Sequence, residues 1–292
     1  MPELPEIEAY RAALEPRIVD RTIGGVTVRS VSLLRTFDPS IDDIVGRRVT
    51  ATSRLGKRIV LHLDGERHLV IHLMTAGRLR WGRPGAPIPG KIGLAAVSFD
   101  HGTLLMTEAG SKRRASWHLV VGAEGLAALD PGGVEIAQID TETFVWRLRA
   151  ERHTLKRTLT DPAVFAGIGG AFADEILFAA GLSPTQMTTN LDDEHAARLH
   201  RTAVDVLAHW TALRIAETGD DFPSKVTAFH PDMAVHGRFG RPCRTCGATI
   251  QRIVHGGRET NYCPGCQTGG RILADRALSR LLKDDWPRSI GP

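Results

Sequence analysis

The four cysteines of this chain, Cys243, Cys246, Cys263 and Cys266, form two Cys-x-x-Cys pairs separated by sixteen residues, and its 292 residues contain no others. Gly247, Gly256 and Gly257 lie within that stretch, where tight turns are needed to fold it back into a hairpin. Four thiolates at this spacing close a tetrahedral site with no position left for substrate, so the expectation is one structural Zn2+. Two disulfides would satisfy the same count. The chain shows neither a secretory signal peptide nor a transmembrane run, however, and this favours a reducing cytoplasm and therefore the metal.

The opposite end, Met1-Pro2-Glu3-Leu4-Pro5-Glu6, carries a different chemistry. Removal of Met1 ahead of the small Pro2 would leave a secondary α-amine, with an ordinary pKa of roughly 8 against roughly 10.4 for a lysine. Far more of such an amine is unprotonated near neutrality, so it is competent to attack an electrophilic carbon. Pro5 suits the first turn of a helix, and Ile7, Tyr10, Ala13 and Leu14 follow at helical spacing. Glu3 and Glu6 then share one side of the helix start. One carboxylate could move a proton while the other holds the terminus, although acids also enrich the first turn of any helix because they complement its dipole.

A content of 42% hydrophobic and 24% charged residues allows substantial cores, and the length suggests two or more domains. The net charge of +4 is too mild to establish a polyanionic partner. Its distribution says more: Arg238, Arg241, Arg244, Arg252 and Arg258 stand between residues 234 and 262 against one acid, Glu259. A basic zinc module of this kind commonly contacts phosphates, although such arginines also serve simply as a solvated surface.

From about Thr22 to Val121 the pattern reads as β structure, with Val26–Val28, Ile59–Leu63, Leu69–Leu73 and Ala95–Phe99 as candidate strands. Asp64-Gly65 and His101-Gly102 are hairpin breaks, and the proline-bearing stretch from Gly82 to Gly90 reads as an exposed loop. Strands at such short spacing argue for a sandwich or barrel. Beyond a boundary near Pro131-Gly132-Gly133 the pattern turns helical, over Thr141–Arg149, Ala171–Ala180 and Asp193–Glu217. A linker-like stretch, Thr218 to Gly237, leads to the cysteines. After Gly270, one amphipathic helix through Ile272, Leu273, Ala277, Leu278, Leu281 and Leu282 is expected to pack back on the protein. Gly167-Ile168-Gly169-Gly170 runs into the helix near Ala171, where free backbone N–H groups can hold a phosphate; a tight interhelical turn reads equally well. No strand precedes these glycines and their spacing is wrong for a dinucleotide fingerprint, so no nucleotide cofactor is expected.

In this order the motifs resemble the formamidopyrimidine-DNA glycosylase and endonuclease VIII family across almost the whole chain. The N-terminal hexapeptide matches its catalytic motif, and Lys57 in Leu55-Gly56-Lys57-Arg58 matches its β-hairpin lysine. Gly167 to Glu175 resembles its helix–two-turns–helix element, and Arg258 between the cysteine pairs matches its zinc-finger arginine. The resemblance implies an α+β multidomain fold: an N-terminal β-sandwich with flanking helices over residues 1–133, a helix–two-turns–helix domain over 134–235, a zinc-finger hairpin over 236–270 and a helical tail over 271–292.

It implies equally a bifunctional DNA glycosylase and abasic-site lyase that flips a damaged nucleotide into a cleft between the β and helical domains. Pro2 would be the nucleophile at C1′, Glu3 the acid and base, and Glu6 an accessory carboxylate. Lys57 and Arg258 would bind the flanking phosphates and assist elimination. DNA contacts are further implied for His72, Met74, Thr75, Arg113, Arg114, Lys156, Gly169 and Gly170. The expected partner is damaged DNA, with no membrane, and the protein a cytoplasmic, nucleoid-associated monomer. Oxidised or ring-opened purines are the expected lesions because Leu4-Pro5-Glu6 follows that branch, ahead of oxidised pyrimidines or a non-catalytic DNA-binding role.

The chain departs from the family pattern at four places. Thr75 stands where the intercalating methionine falls by register, beside Met74. Lys112-Arg113-Arg114 continues into Ala115-Ser116-Trp117 where the family has a phenylalanine. Gly170 replaces the asparagine that ends the family's Gly-x-Gly motif, and Lys91-Ile92-Gly93-Leu94 lacks the expected histidine.

Overall fold

The computed structural model describes residues 1–110, 112–224, 226–283 and 287–289. Two compact units result, one of Met1–Pro131 with Trp210–Thr227, the other of Gly132–His209 with the chain from Ala228 onward.

The first unit begins with α1 (Leu4–Ile18), started by a capping box in which Glu3 and Glu6 accept each other's backbone N–H, with Pro5 in the first turn. Eight strands follow: β1 (Gly25–Val28), β2 (Val49–Leu55), β3 (Arg58–Leu63), β4 (Arg67–His72), β5 (Gly77–Gly82), β6 (Gly93–Ser98), β7 (Thr103–Glu108) and β8 (Ser116–Val121), then the short α2 (Gly122–Ala127). They form two four-stranded sheets, ordered β1-β6-β7-β5 and β2-β3-β4-β8. All neighbouring strands are antiparallel. Alternation supplies the shared core: Ile59, Leu61, Leu69, Ile71, Trp117 and Leu119 meet Leu79, Ala95, Val97, Leu104 and Met106, with Ile7, Tyr10, Leu14 and Ile18 of α1 packed among them. Tyr10 also locks α1 to β5, its hydroxyl accepting from the Leu79 N–H at 3.3 Å.

The four strands recognised from the sequence are present, and β2, β5, β7 and β8 are additional. Their patterns hid them, since β7 is buried at every position and so shows no alternation, whereas β5 carries Arg78 and Arg80 between its apolar residues.

The second unit contains α3 (Thr141–Arg149), α4 (Leu155–Thr160), α5 (Gly170–Ala179) and the start of α6 (Asp193–Thr218), then β9 (Gln251–His255), β10 (Arg258–Tyr262), α7 (Pro264–Thr268) and α8 (Arg276–Leu282). Asp140 and Thr154 cap α3 and α4 through their side chains, α4 packs on α5, and Phe144 stacks on Phe165 at 5.0 Å. Helix α5 also packs against β10 and α7, which ties the cysteine hairpin to the helical elements.

Two expectations are corrected. Residues 218–237 are not a loose linker: Val226 and Phe222 join the sandwich core. Met233 and Val235 are fully buried, and the Glu175 carboxylate accepts the N–H groups of Ala234, Val235 and His236. The tail helix is shorter than its apolar pattern, because the Leu273 N–H is taken by the Tyr262 hydroxyl and Ile272 N–H by the Arg288 carbonyl, leaving both outside α8. Leu281 and Leu282 of that helix are 76% and 40% exposed, and the side chains of Ala277 and Leu278, which belong to the same expected face, lie outside the described residues.

Candidate active site and nucleic-acid-binding elements

The N-terminus is a buried, charged corner of the first unit. Pro2 is buried, and Glu3 and Glu6 are only 4% and 1% exposed. Glu6 accepts the Glu3 N–H at 2.9 Å through one oxygen and faces Arg214 Nε at 3.3 Å through the other. Burial raises its pKa to about 7, with the Glu3 charge adding to the effect and the Glu3 N–H and Arg214 opposing it. The α-amine at Met1 is lowered by burial, and Glu3 and Glu6 counter that while Arg78 and Lys57 reinforce it. An amine held low and two carboxylates are thus placed together by one helix cap.

Lys57 enters this corner from the two-residue turn Gly56-Lys57 between β2 and β3, where Gly56 takes φ +58°. Burial lowers its pKa and the charge of Glu3 raises it, so the lysine and carboxylate lie within each other's field. His72 closes β4 opposite Arg58, and burial, then Arg58, Lys57 and His118, push its pKa down to about 4. It is therefore neutral at physiological pH and offers an uncharged imidazole.

The two loops expected to fill the space of a flipped nucleotide differ in construction. In the first, Leu73 is buried, Met74 is half-buried and Thr75 exposed. The Gly77 N–H closes the loop on the Leu73 carbonyl at 2.9 Å, and a Cβ at Gly77 would stand 2.2 Å from that oxygen, which requires glycine there. Met74 takes φ +54°, a left-handed conformation that costs an unbranched residue about 1 kcal/mol or more. In the second loop Arg113 and Arg114 are exposed, with Arg113 reaching the Lys91 carbonyl at 2.7 Å. The buried carboxylate of Glu108 holds this loop by accepting the N–H groups of Arg114 and Ala115. Ala115 itself is 2% exposed and sits in the core, so it offers no wedge.

In the second unit Gly169 is the N-cap of α5 and Gly170 its first residue. A Cβ on Gly170 would meet nothing within 4 Å, so the asparagine missing there is not excluded by packing. Lys156 is paired with the buried Asp174 at 2.7 Å and donates to the Glu259 carbonyl at 2.9 Å. Asp174 further accepts from His236 Nδ1 and the Asn261 N–H, binding α5 to the segment before the cysteines and to β10. Arg258 is exposed at the tip of the β9–β10 hairpin, paired with His255 across Gly256 and Gly257, whose φ values of +56° and +75° form the two-residue turn.

Cys243, Cys246, Cys263 and Cys266 bring their sulfurs within 4.8 Å of one another, the only group of three or more potential metal ligands among the described residues. The Thr245 and Cys266 amides donate to the sulfurs of Cys243 and Cys263, both at 3.4 Å, which favours thiolate. Four converging sulfurs with amide donors fit one structural zinc, and residues 243–266 are the ones that hold it.

Sequence reasoning missed Arg214, Glu108, Asp174 and Glu175. Arg214 lies 208 residues from Glu6 and carries no local signal. The three acids are buried inside segments that otherwise read as core, and only their partners reveal why they are tolerated.

One chain thus carries a sandwich with a buried amine–carboxylate corner, helices with a glycine-led N-terminus and a four-cysteine zinc hairpin. Three family profiles match: the formamidopyrimidine-DNA glycosylase N-terminal domain over residues 1–118, its H2TH domain over 129–221, and the zinc finger found in FPG and IleRS over 240–269. The chain is 33% identical over 283 residues to formamidopyrimidine-DNA glycosylase of Corynebacterium aurimucosum, spanning 92% of this chain and 97% of the relative. It is 36% identical over 279 residues to that of an Acidovorax species, spanning 91% and 99%. A complex of the Lactococcus lactis Fpg with abasic-site DNA superposes at a TM-score of 0.82 with 27% identity, covering 91% and 99% of the two chains. The chain belongs to the formamidopyrimidine-DNA glycosylase family.

Proposed function

We propose that Pro2, freed of Met1, is the nucleophile of a base-excision repair glycosylase and abasic-site lyase that acts on oxidised purines in damaged DNA. The observation that carries the assignment is the capping box, which holds two buried carboxylates against the terminus and Lys57. The amine attacks C1′ as the glycosidic bond breaks and Glu3 delivers a proton toward the departing base. Opening of the sugar with O4′ leaving C1′ gives an iminium, which acidifies the 2′ proton; loss of that proton expels the 3′ phosphate and cuts the strand. Glu6, with a pKa near neutrality, holds the Glu3 backbone and buffers the corner. Lys57 and Arg258 bind the phosphates flanking the lesion. His72, Arg113, Arg114 and the α5 start at Gly169 and Gly170 add contacts along the strand, and Lys156 supports them through Asp174.

The domain division read from the sequence, 1–133, 134–235, 236–270 and 271–292, belongs to this proposal, as does a cytoplasmic, nucleoid-associated location. Among the described residues no helix is long and apolar enough to cross a membrane.

Borohydride trapping on abasic DNA tests the nucleophile. Protein with Met1 removed is expected to form the covalent adduct and Met1-retaining protein is not; equal trapping overturns the assignment.

The altered loops shape substrate choice. Exposed Thr75 and core-facing Ala115 offset less of the few kcal/mol needed to unstack and unpair a base. Abasic, mismatched and single-stranded substrates are therefore expected to be cut better than a well-paired lesion, with weak selectivity for the opposite base. Single-turnover cleavage of one lesion in matched duplex and in single strands measures this. A strong preference for the duplex would give the wedge to Met74.

A further inference from the structure

We propose that His62 and His68, paired across β3 and β4, form a second metal site that takes one Zn2+ through their two Nδ1 atoms. The two residues are register partners on adjacent antiparallel strands, on the sheet face opposite the core residues Leu61 and Leu69. Their Nδ1 atoms face each other at 2.9 Å, with ring centroids 4.9 Å apart at 79°. Two neutral imidazoles at that distance share a single proton, one donating and the other accepting. Moving that proton to Nε2 frees both Nδ1 lone pairs, and opening the pair from 2.9 Å to about 3.3 Å by a small rotation of the rings seats a divalent ion at the usual Zn–N distance from each.

Ser53 prepares the change. Its Oγ lies 2.6 Å from His62 Nε2, so it can accept a hydrogen bond from the relocated Nε2–H and fix the His62 tautomer while the ion is bound, as outer-shell acceptors do for metal-ligating histidines. His68 Nε2 keeps its own proton, so binding to the neutral pair releases none. The residues are half-buried rather than sealed, so an ion can enter.

This place is separate from the chemistry described above. His62 stands five residues beyond Lys57, roughly 15 Å along the strand, at the end of the hairpin that carries the Asp64-Gly65 turn. It is separate too from the four cysteines, which lie in the other unit. With two protein ligands, the ion keeps its remaining positions for water, so it is exchangeable where the cysteine-held zinc is not.

The test is calorimetric and analytical titration of full-length protein, already carrying its cysteine-bound zinc, with further Zn2+. The wild type is expected to take up a second equivalent, His62→Ala and His68→Gln to remain at one, and Ser53→Ala to bind the second ion several-fold more weakly. Imidazole 15N spectra of the wild type, which need no variant to fold, are expected to show the Nδ1 resonances of these two histidines moving on zinc addition. Uptake of the second equivalent by both histidine variants would mean adventitious surface metal. That result, or Nδ1 resonances that do not move, overturns the proposal.

Discussion

The two ends of this chain hold their functional groups by opposite means. At the N-terminus, α1 is anchored by Ile7, Tyr10, Leu14 and Ile18, all fully buried in a core built by both sheets, and the reactive corner comes with it. Around the cysteines the apolar cluster is small, centred on Val235, Ile250 and the buried cysteines themselves, and Arg258 stands exposed at a hairpin tip. Packing fixes the first; metal coordination and a few buried acid contacts fix the second. The proposed chemistry therefore sits where burial can shift pKa values, whereas the proposed phosphate contact sits on an exposed arginine.

Removing a zinc ligand should break this comparison most sharply. Zinc binding to small modules is worth about 10–16 kcal/mol, all of it coupled to local folding. Cys263→Ser is expected to lose the metal and most DNA binding while the first unit keeps its thermal transition, as zinc analysis with calorimetry would show. A single cooperative collapse of both units would mean that the hairpin is not independently held.

The converse change, Leu14→Ala, deletes buried side-chain volume under α1 and should cost about 2–5 kcal/mol. Denaturant titration should find that loss in the first unit with zinc content unchanged. Retention of wild-type stability would show that the capping box, not the core, secures the terminus.

Glu6 gives a subtler reading. Its pKa is about 7 in the folded chain against an ordinary 4.5, so the folded state binds more protons between those values and stability falls as pH rises from roughly 4.5 through 7. Over the whole window this is about 3 kcal/mol. Glu6→Gln should flatten that slope in melting temperature against pH, and an unchanged slope would mean that other groups set it.

The smallest effects are expected at the DNA-facing departures. Gly170→Asn, with open space for its side chain, should add one phosphate hydrogen bond and tighten DNA binding by about 1 kcal/mol. Thr75→Met should raise cleavage of paired duplex more than of abasic DNA. Arg258→Ala should keep zinc yet lower the salt slope of binding by about one, read from affinity against salt concentration.

Much of this was written locally. The cysteine spacing specified a metal site because four sulfurs at those intervals have few other ways to converge. Met1-Pro2-Glu3-Leu4-Pro5-Glu6 specified a helix start that gathers an amine and two acids, since capping is set by neighbouring residues. Strands β3 and β4 were legible from their β-branched apolar runs on either side of the Asp64-Gly65 turn, whereas β7, with Leu104, Leu105 and Met106 at its centre, has no β-branched apolar residue to mark it as a strand. Only the tertiary structure decided that Arg214 faces Glu6, that Glu108 holds the arginine loop and that Asp174 gathers Lys156, His236 and Asn261. Each of those contacts joins residues whose partners lie on other elements, and a buried charge acquires its meaning from the group opposite it, which no stretch of sequence contains.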